Sequence, residues 1–422
     1  MFEYLRKHKE EVIAGGIFIF FALGFNIYRV QGDGKEYYAF LERVLHILKP
    51  ESSMEYLSDS RFYQSGCAFL NAPFYLLSYW LENVLKIHPN YNGITLRQIS
   101  INLASNFYLL ISIIFSIRIL KRMNFSHRIL PVLSMVFSTS AFSVAVVMPS
   151  MNHAADVFII TAFLYLFIEN IYSESGNSFW LGAFCVAAVL VRYFNAVLVI
   201  LAAGYYFSQK RYRNFKQIAI GFLSFAWIIP LILFTYNRGS STFLMTGSLV
   251  TSLAPLPKYA LKLLVHPLHG LFVWSPVTLL SVIGLLVLPK KYRILGYVLS
   301  GVWVSFVLLY GFFYEWYGGW SFSNRYLVNV FPIYCIGLAS FLQRFGKKAV
   351  ILVILFTVYS VFLFLHWHLC IFNAEFETPW AIFKAWRSGE SDTFLDKNVN
   401  TSTVLKRLFE YCRYKYILGV FR

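Results

Sequence analysis

The chain has 422 residues, of which 58% are apolar and only 14% are charged. A soluble protein of ordinary composition carries about 25% charged residues, so this balance excludes a soluble globular enzyme. The net charge of +17 would suggest a nucleic-acid ligand in a soluble protein, but the basic residues here lie mainly in short connections between apolar runs, where they orient a membrane protein. No nucleic acid is therefore expected among the partners.

Apolar runs long enough for a helix to cross a bilayer recur along the chain. They predict an all-α, polytopic membrane protein with about eleven membrane-inserted helices. In chain order, the runs lie near residues 12–28, 99–117, 129–147, 153–171, 179–190, 194–207, 218–236, 268–288, 294–313, 326–342 and 350–369. We interpret the short runs on either side of Arg192 as two tilted or shortened helices, although one broken helix is the alternative.

The segment 67–85 is also apolar, but it contains an asparagine, a proline and a glutamate. If it does not cross the membrane, the five basic connections of the chain all fall on one side, which the positive-inside rule makes cytoplasmic. We therefore predict that it is an interfacial or re-entrant helix within a large first outer loop, residues 29–97. Residues 1–371 then form one transmembrane domain, and residues 372–422 form a short polar tail on the outer side.

With this topology, the unusual polar and aromatic motifs collect on the outer side of the membrane. They are GDGKEYY at 32–38, Asn152 with His153, Arg192, HPLHG at 266–270, and FYEWYGGWSFSNRY at 313–326. Their common side predicts a site at the outer membrane boundary.

Asp33 is the strongest catalytic candidate in these motifs. It lies between two glycines, which allow unusual turns and the close approach of a ligand, and a carboxylate at the membrane edge can act as a general base. The alternative is a solvated loop carboxylate beside Lys35. Glu36 and Tyr37 follow in the same motif and are candidate substrate-binding residues, with a solvated charge as the alternative for Glu36.

His153 and Asp156 are three residues apart at the outer start of a predicted span, so both side chains can lie on the same helix face. An acid one turn inside a membrane helix is costly and therefore a functional candidate. The alternative is an acid stabilised by the helix dipole. The spacing supplies too few ligands for a metal site, so no cofactor is expected, although the sequence leaves a divalent metal open.

Arg192 and Arg325 offer forked donors that suit phosphate oxygens, whereas snorkelling to lipid headgroups is the alternative for each. Trp316 and Trp320 flank two glycines in a connection that can stack on a sugar ring or form an interfacial aromatic belt. His269, in the HPLHG motif, is a further candidate for substrate binding.

The motifs and their order resemble the bacterial integral-membrane glycosyltransferases of the C-type fold, a group that includes protein O-mannosyltransferases and the lipid A aminoarabinose transferase. The similarity runs from Gly32 to Pro332, through GDGKEYY, MNHAADVFIITAFLYLF, LGAFCVAAVLVRYFN, GLFVWSP and WYGGWSFSNRYLVNVFP. Two departures are Asn152, where serine is expected before the histidine, and Ser323-Asn324, where glycine is frequent before the arginine.

The resemblance implies that Asp33 is the catalytic acidic residue of the first outer loop. It also implies a polyprenyl-phosphate-sugar donor held among membrane lipids, a glycan, lipid or protein acceptor, and transfer at the periplasmic face of a bacterial inner membrane, with inversion of the sugar. Two rivals are a lipid-carrier or solute transporter, and a non-catalytic subunit of envelope polysaccharide assembly. A disulfide between Cys370 and Cys412 is also left open.

Overall fold

The computed structural model describes residues 7–28, 30, 34–48, 66–86, 90–91, 94–172, 178–229, 256–319, 321–368 and 378–388. These ranges are mostly helical. The one sheet within them is a two-stranded antiparallel ribbon, in which Asn90 pairs with Thr95 and Tyr91 with Ile94. The all-α class predicted from the apolar runs is therefore confirmed.

Most of the described helices follow one another with short connections, but 33 residues separate Ala226 from Ala260 and 17 separate Leu48 from Gly66. In chain order they are α1 (Lys9–Phe25), α2 (Gly34–Leu48), α3 (Gly66–Leu85), α4 (Leu96–Arg122), α5 (Ile129–Ser138), α6 (Ser140–Val147), α7 (Asn152–Tyr172), α8 (Phe179–Val191), α9 (Ala196–Ser208), α10 (Tyr212–Ala226), α11 (Ala260–Val265), α12 (Leu271–Trp274), α13 (Val277–Leu286), α14 (Arg293–Tyr310), α15 (Phe331–His368) and α16 (Pro379–Ser388). The strands Asn90–Tyr91 and Ile94–Thr95 are β1 and β2.

Several helices have the length and composition of membrane spans. Within the described ranges, four helical segments are long and apolar enough to cross a bilayer, and five if the bent pair α5–α6 counts as one span. The four are Leu96–Arg122, Asn152–Tyr172, Lys290–Tyr310 and Arg325–His368. Phe179–Val191, Tyr193–Ser208 and Val277–Leu286 are apolar but shorter. The architecture is that of a helical membrane protein, and the total of about eleven helices stays a prediction.

Two runs expected to be single helices are broken. The run 129–147 forms α5 and α6, which are bent by 69°, because Thr139 is extended and its hydroxyl accepts a hydrogen bond from the Ala141 amide. The run 268–288 forms α12 and α13, interrupted at Ser275 and Pro276. Proline has no backbone N–H to continue a helix. In contrast, the predicted division of 179–207 into two helices at Arg192 is what the structure has.

Close helix packing in the core depends on small residues. A Cβ atom on Gly284 of α13 would lie 1.8 Å from the carbonyl oxygen of Gly337 in α15, so only glycine permits this crossing. Such small-residue contacts are typical of membrane helices, because lipid supplies little hydrophobic force between them. At Gly346, where φ is +64°, the backbone of α15 leaves the helical conformation, at the basic connection predicted between the last two runs.

The helices of the first outer loop are fastened to α4 by an ionic network. Arg97 contacts Glu42 of α2 at 2.8 Å and Glu82 of α3 at 3.0 Å, and it donates a 3.3 Å hydrogen bond to the Tyr75 hydroxyl. Burial raises the pKa of the neighbouring Tyr38 to about 12, so its hydroxyl stays neutral. One half-buried cation thus joins both helices to the bundle.

Candidate functional site

A buried ion pair connects the start of α7 with the turn after α8. The Asp156 side chain is fully buried one turn into α7, and its Oδ2 lies 3.3 Å from Nε of Arg192. Its other oxygen accepts a 2.7 Å hydrogen bond from Nδ2 of Asn195. Because an isolated buried carboxylate would be very costly, this pairing is what allows an acid at this depth.

The remaining nitrogens of Arg192 are also occupied. Nη1 donates to the Tyr310 hydroxyl at 2.7 Å, and Nη2 donates to Oδ1 of Asn152 at 2.8 Å while lying 3.3 Å from Nδ1 of His153. Burial alone would lower the pKa of Arg192, but Tyr310 and Asp156 outweigh it and raise the pKa. The guanidinium is therefore permanently charged and held in one orientation.

The local backbone explains how these side chains meet. Arg192 is extended, with φ of −157°, and ends α8, after which Tyr193–Asn195 forms a single 3₁₀ turn. This turn brings Arg192 and Asn195 together against α7. Neither Asn195 nor Tyr310 was predicted from the sequence as a site residue. The three-residue spacing from Arg192 could have indicated Asn195, whereas no local pattern marks Tyr310 on a distant helix.

Arg325 lies beside the same helix start but has a different environment. Its Nη1 contacts the sulfur of Met151 at 3.3 Å, and its Cζ lies 5.8 Å from the centroid of the Tyr326 ring. Across the described ranges, no carboxylate lies within ion-pair distance of Arg325, and its buried Nε makes no hydrogen bond. Arg325 is thus a half-buried cation with spare donors.

The Gly318–Gly319 turn fits closely around Arg325. Both glycines have positive φ, +80° and +61°, which side chains disfavour. A Cβ on Gly318 would also lie 3.2 Å from Cγ of Arg325. The double glycine of the sequence motif therefore shapes the loop that holds Arg325. Glycine is needed at both positions because other residues rarely adopt a positive φ.

The two arginines flank one helix N-terminus. Three consecutive residues make the contacts, with Met151 touching Arg325, and Asn152 and His153 touching Arg192. The ring centroid of His153, which is buried, lies 6.4 Å from that of Tyr326. A helix N-terminus carries a partial positive charge, so the whole arrangement favours an anion such as phosphate.

The first outer loop packs against this helix start. A Cβ on Gly34 would lie 2.1 Å from Oγ of Ser150, so the Gly34 backbone is pressed against the residue before Met151. Tyr37, one turn further along α2, is buried. Asp33 directly precedes Gly34 in the sequence but lies outside the described residues, and the same holds for the side chain of Glu36.

The other predicted site residues lie elsewhere or outside the described part. Trp316 is nearly buried, with its ring centroid 4.7 Å from that of His266, and the pKa of His266 is lowered by burial and by Lys262. Trp320 lies outside the described residues. His269 is buried and stacked on Trp274, so it belongs to a neighbouring cluster.

That neighbouring cluster consists mainly of hydroxyl groups around the break between α5 and α6. Oγ of Ser275 donates to the carbonyl of Ser138 at 2.5 Å and lies 3.0 Å from Oγ of Ser323. Nδ1 of His269 lies 3.4 Å from the Ser323 carbonyl. Ser323 has a positive φ of +54°. The cluster therefore fixes the loop that leads directly into Arg325.

Of the predicted site residues, the structure thus brings His153, Asp156, Arg192 and Arg325 together. Among the residues described, no group of three histidine, cysteine, aspartate or glutamate side chains could hold a metal ion. Comparisons with protein-family models, with curated proteins and with solved structures found no match to this chain.

Proposed function

We propose that the protein is a membrane glycosyltransferase that moves a sugar from a polyprenyl-phosphate donor to an acceptor. The observation that carries the proposal is the anion-binding arrangement at the start of α7, where a helix N-terminus lies between Arg192 and Arg325. The order of the sequence motifs, which resembles that of C-type membrane glycosyltransferases, gives the anion its identity as the phosphate of a lipid-linked sugar.

Arg325 is the residue that we assign to the donor phosphate. Arg192 already uses its donors on Asp156, Tyr310 and Asn152, whereas Arg325 has donors to spare. A guanidinium can form two parallel bonds to phosphate oxygens. Charge that develops on the departing phosphate is then stabilised by groups held in place before the reaction, which is an efficient form of catalysis.

Asp156 and Arg192 act in this proposal as positioning residues. Asp156 is unsuited to be the general base, because one of its oxygens accepts a hydrogen bond from Asn195 and the other is paired with the Arg192 guanidinium. Its role is to hold Arg192, which in turn orients Asn152 and His153 at the helix start. The Tyr310 hydroxyl completes the frame and also lies 3.4 Å from Nδ2 of Asn329.

Asp33 is the proposed general base, and Gly34 against Ser150 brings its segment of the chain to the same helix start. The acceptor hydroxyl would give its proton to the Asp33 carboxylate as its oxygen bonds to the anomeric carbon. The bond from that carbon to the phosphate oxygen breaks, and the lipid phosphate leaves with the electron pair. One displacement of this kind inverts the anomeric carbon.

The proposal also includes the predicted topology. About eleven helices would cross or enter a bacterial inner membrane, with the start of α7 facing the periplasm and the basic connections in the cytoplasm. The donor's polyprenyl tail would lie in lipid beside the helices. The acceptor, whether a glycan, a lipid or a protein, stays open.

The deciding experiment is the turnover of lipid-linked sugars by the purified protein. A panel of polyprenyl-phosphate donors is incubated with wild type and with Asp33→Asn, and release of the lipid phosphate is measured. We expect Asp33→Asn to lose about 10²–10⁴-fold in rate while keeping donor affinity, because it retains volume and loses basicity. The matched control is Glu315→Gln, an exposed acid near Arg325 in the sequence, which should leave the rate unchanged.

Two results would count against this function. Turnover by Asp33→Asn close to wild type would remove Asp33 from catalysis. Failure of the wild type on every donor, together with transport of one of them into proteoliposomes, would establish the transporter alternative.

The transporter alternative has one structural feature in its favour, which is the break between α5 and α6. Broken helices in transporters expose carbonyl groups that bind ions. Here, however, the Ser138 carbonyl accepts a hydrogen bond from Ser275, and Oγ of Ser140 donates to the Asn324 carbonyl. Because the polar groups at the break fix the loop before Arg325, they are not available to bind an ion, and this favours the glycosyltransferase over the transporter.

A further inference from the structure

A second charged site lies at the opposite end of the molecule from the start of α7. A cavity of about 640 Å³ is lined by the last two residues of α7, Ile171 and Tyr172, and by residues 210–214, which connect α9 to α10. Helix α7 has 21 residues, so its two ends are about 30 Å apart. The cavity is therefore remote from the candidate site.

The cavity is strongly basic. Its lining includes Lys210, Arg211 and Arg213, all exposed. In the described part of the chain, none of the three has a carboxylate within ion-pair distance. Two more cations meet on the Tyr172 ring, since Cζ of Arg122 and Nζ of Lys291 lie 5.5 Å and 5.6 Å from its centroid.

Only one of these five cations is neutralised by an acid among the described residues. Arg122 pairs with Glu169 at 3.6 Å. The other four leave a concentration of positive charge around one aromatic ring, which attracts an anion and repels a cation.

The wall of the cavity is fixed by its own hydrogen bonds. Lys210 has a φ of +54°, and the amides of Lys210 and Arg211 donate to the carbonyls of Phe207 and Tyr206 at 3.0 Å and 2.9 Å. Nη1 of Arg211 donates to the carbonyl of Ile171 at 3.1 Å. The turn is thereby tied to the end of α7, so the basic groups are presented in a defined geometry.

An exposed aromatic strip adjoins the basic cavity. Tyr212, which lines the cavity, has its ring centroid 5.7 Å from that of Phe207, and Phe207 lies 6.0 Å from Phe215. The side chains of Phe207 and Tyr212 are 59% and 56% exposed. An anionic cavity ligand would therefore find apolar surface directly beside its charged group.

We propose that this cavity binds the phosphate headgroup of an anionic phospholipid, with the acyl chains against the Phe207–Phe215 strip. Basic pockets at the ends of membrane helices are suited to such headgroups. A soluble phosphate compound shares the charge but would gain nothing from the aromatic strip. The site is independent of the proposed transferase activity.

The test is a lipid-binding titration on the full chain, purified and delipidated in a neutral detergent. Retained lipid is measured by native mass spectrometry with phosphatidylglycerol, and with phosphatidylcholine of the same acyl chains. The double variant Arg211→Gln/Arg213→Gln should bind phosphatidylglycerol about 30-fold more weakly, at roughly fivefold for each basic residue removed. The single variant Lys291→Gln should bind phosphatidylglycerol about fivefold more weakly. It tests the same site if the double variant does not fold.

The matched control removes the same charge elsewhere. Lys347→Gln/Lys348→Gln alters two exposed lysines beside Gly346 and should leave the affinity unchanged. Equal weakening in both double variants would show a general effect of charge and overturn the site. Binding of phosphatidylcholine as tight as that of phosphatidylglycerol would overturn the anionic selectivity. Displacement of the lipid by glycerol phosphate at equal concentration would show a soluble ligand and overturn the lipid assignment.

Discussion

At the scale of single residues, the two arginines of the candidate site differ in whether their charge is paired with an acid. Arg192 is enclosed by four polar partners, whereas Arg325 is half-buried among sulfur and aromatic groups, with no carboxylate within ion-pair distance in the described ranges. Two residues of the same type therefore have different roles. One holds the framework, and the other is available to a ligand.

The buried pair predicts a large coupling between Asp156 and Arg192. Asp156→Asn leaves the Arg192 charge buried without its counter-ion, which should destabilise the protein by about 3–5 kcal/mol. Arg192→Met leaves the Asp156 carboxylate buried without its cation, which should destabilise the protein by a similar amount. Thermal unfolding in detergent measures both changes, and the double variant should be much more stable than the sum of the two losses suggests. Additive losses would mean that the pair is not coupled.

The donor-binding role of Arg325 predicts a difference between lysine and arginine. Loss of a charge-assisted hydrogen bond costs about 1.5–3 kcal/mol, so Arg325→Lys should bind a polyprenyl-phosphate sugar ten- to hundredfold more weakly, and Arg325→Ala more weakly still. Arg344→Lys, at an exposed position on α15, is the matched control. Equal donor affinity of wild type and Arg325→Lys would instead indicate snorkelling to headgroups.

The site residues that could be predicted from sequence are those whose chemistry is unusual for their position. Asp156 and Arg192 are charges in or beside apolar runs, and that alone identifies them. Their partnership could not be predicted, because 36 residues separate them and the contact depends on the turn at Tyr193–Asn195. Tyr310 could not be found either, since a tyrosine at the end of an apolar helix is ordinary.

At the scale of secondary-structure elements, apolar runs predicted where helices occur but not where they break. The boundaries of α7 and α14 follow the runs to within three residues, whereas α4 extends three residues before and five residues beyond its run. The break before α13 falls at Pro276, a residue type that marks it in the sequence. The break at Thr139 depends instead on hydroxyls, because the Thr139 hydroxyl accepts from the Ala141 amide and Oγ of Ser275 donates to the Ser138 carbonyl. Such side chains are also common in unbroken membrane helices, so composition does not reveal the break.

The ionic network at Arg97 predicts how the first outer loop is held. Arg97→Met should release α2 and α3 from α4, because it removes the contacts to Glu42 and Glu82 together. Hydrogen exchange should then be faster in Gly34–Leu48 and Gly66–Leu85, with no change in α7. Arg128→Met, which removes the more exposed pair with Glu10, is the control. Unchanged exchange in α2 and α3 would show that apolar packing alone holds these helices.

At the scale of the whole molecule, the two ends of α7 differ in the kind of positive charge they carry. At Asn152, two arginines are built into a largely buried frame around a helix N-terminus. At Tyr172, exposed basic residues surround a cavity. The positive-inside rule applies to exposed loop charges, so in the proposed topology the Tyr172 end faces the cytoplasm. The buried Arg192 and the half-buried Arg325 at the other end are therefore interpreted as a site and not as a topology signal.

This orientation predicts which introduced cysteines react with an impermeant thiol reagent added outside intact cells. Lys86→Cys and Glu315→Cys, both exposed, should be labelled in a variant without the native cysteines, as should a cysteine in the tail after residue 371. Arg213→Cys and Lys347→Cys are exposed at the other end and should react only after the membrane is permeabilised. Lys35→Cys, also exposed and located before Gly66–Leu85, should likewise react from outside. Labelling of Lys35→Cys from the cytoplasm alone, while Lys86→Cys and Glu315→Cys react from outside, would mean that Gly66–Leu85 crosses the membrane, and the catalytic role of Asp33 beside Arg325 would then be untenable.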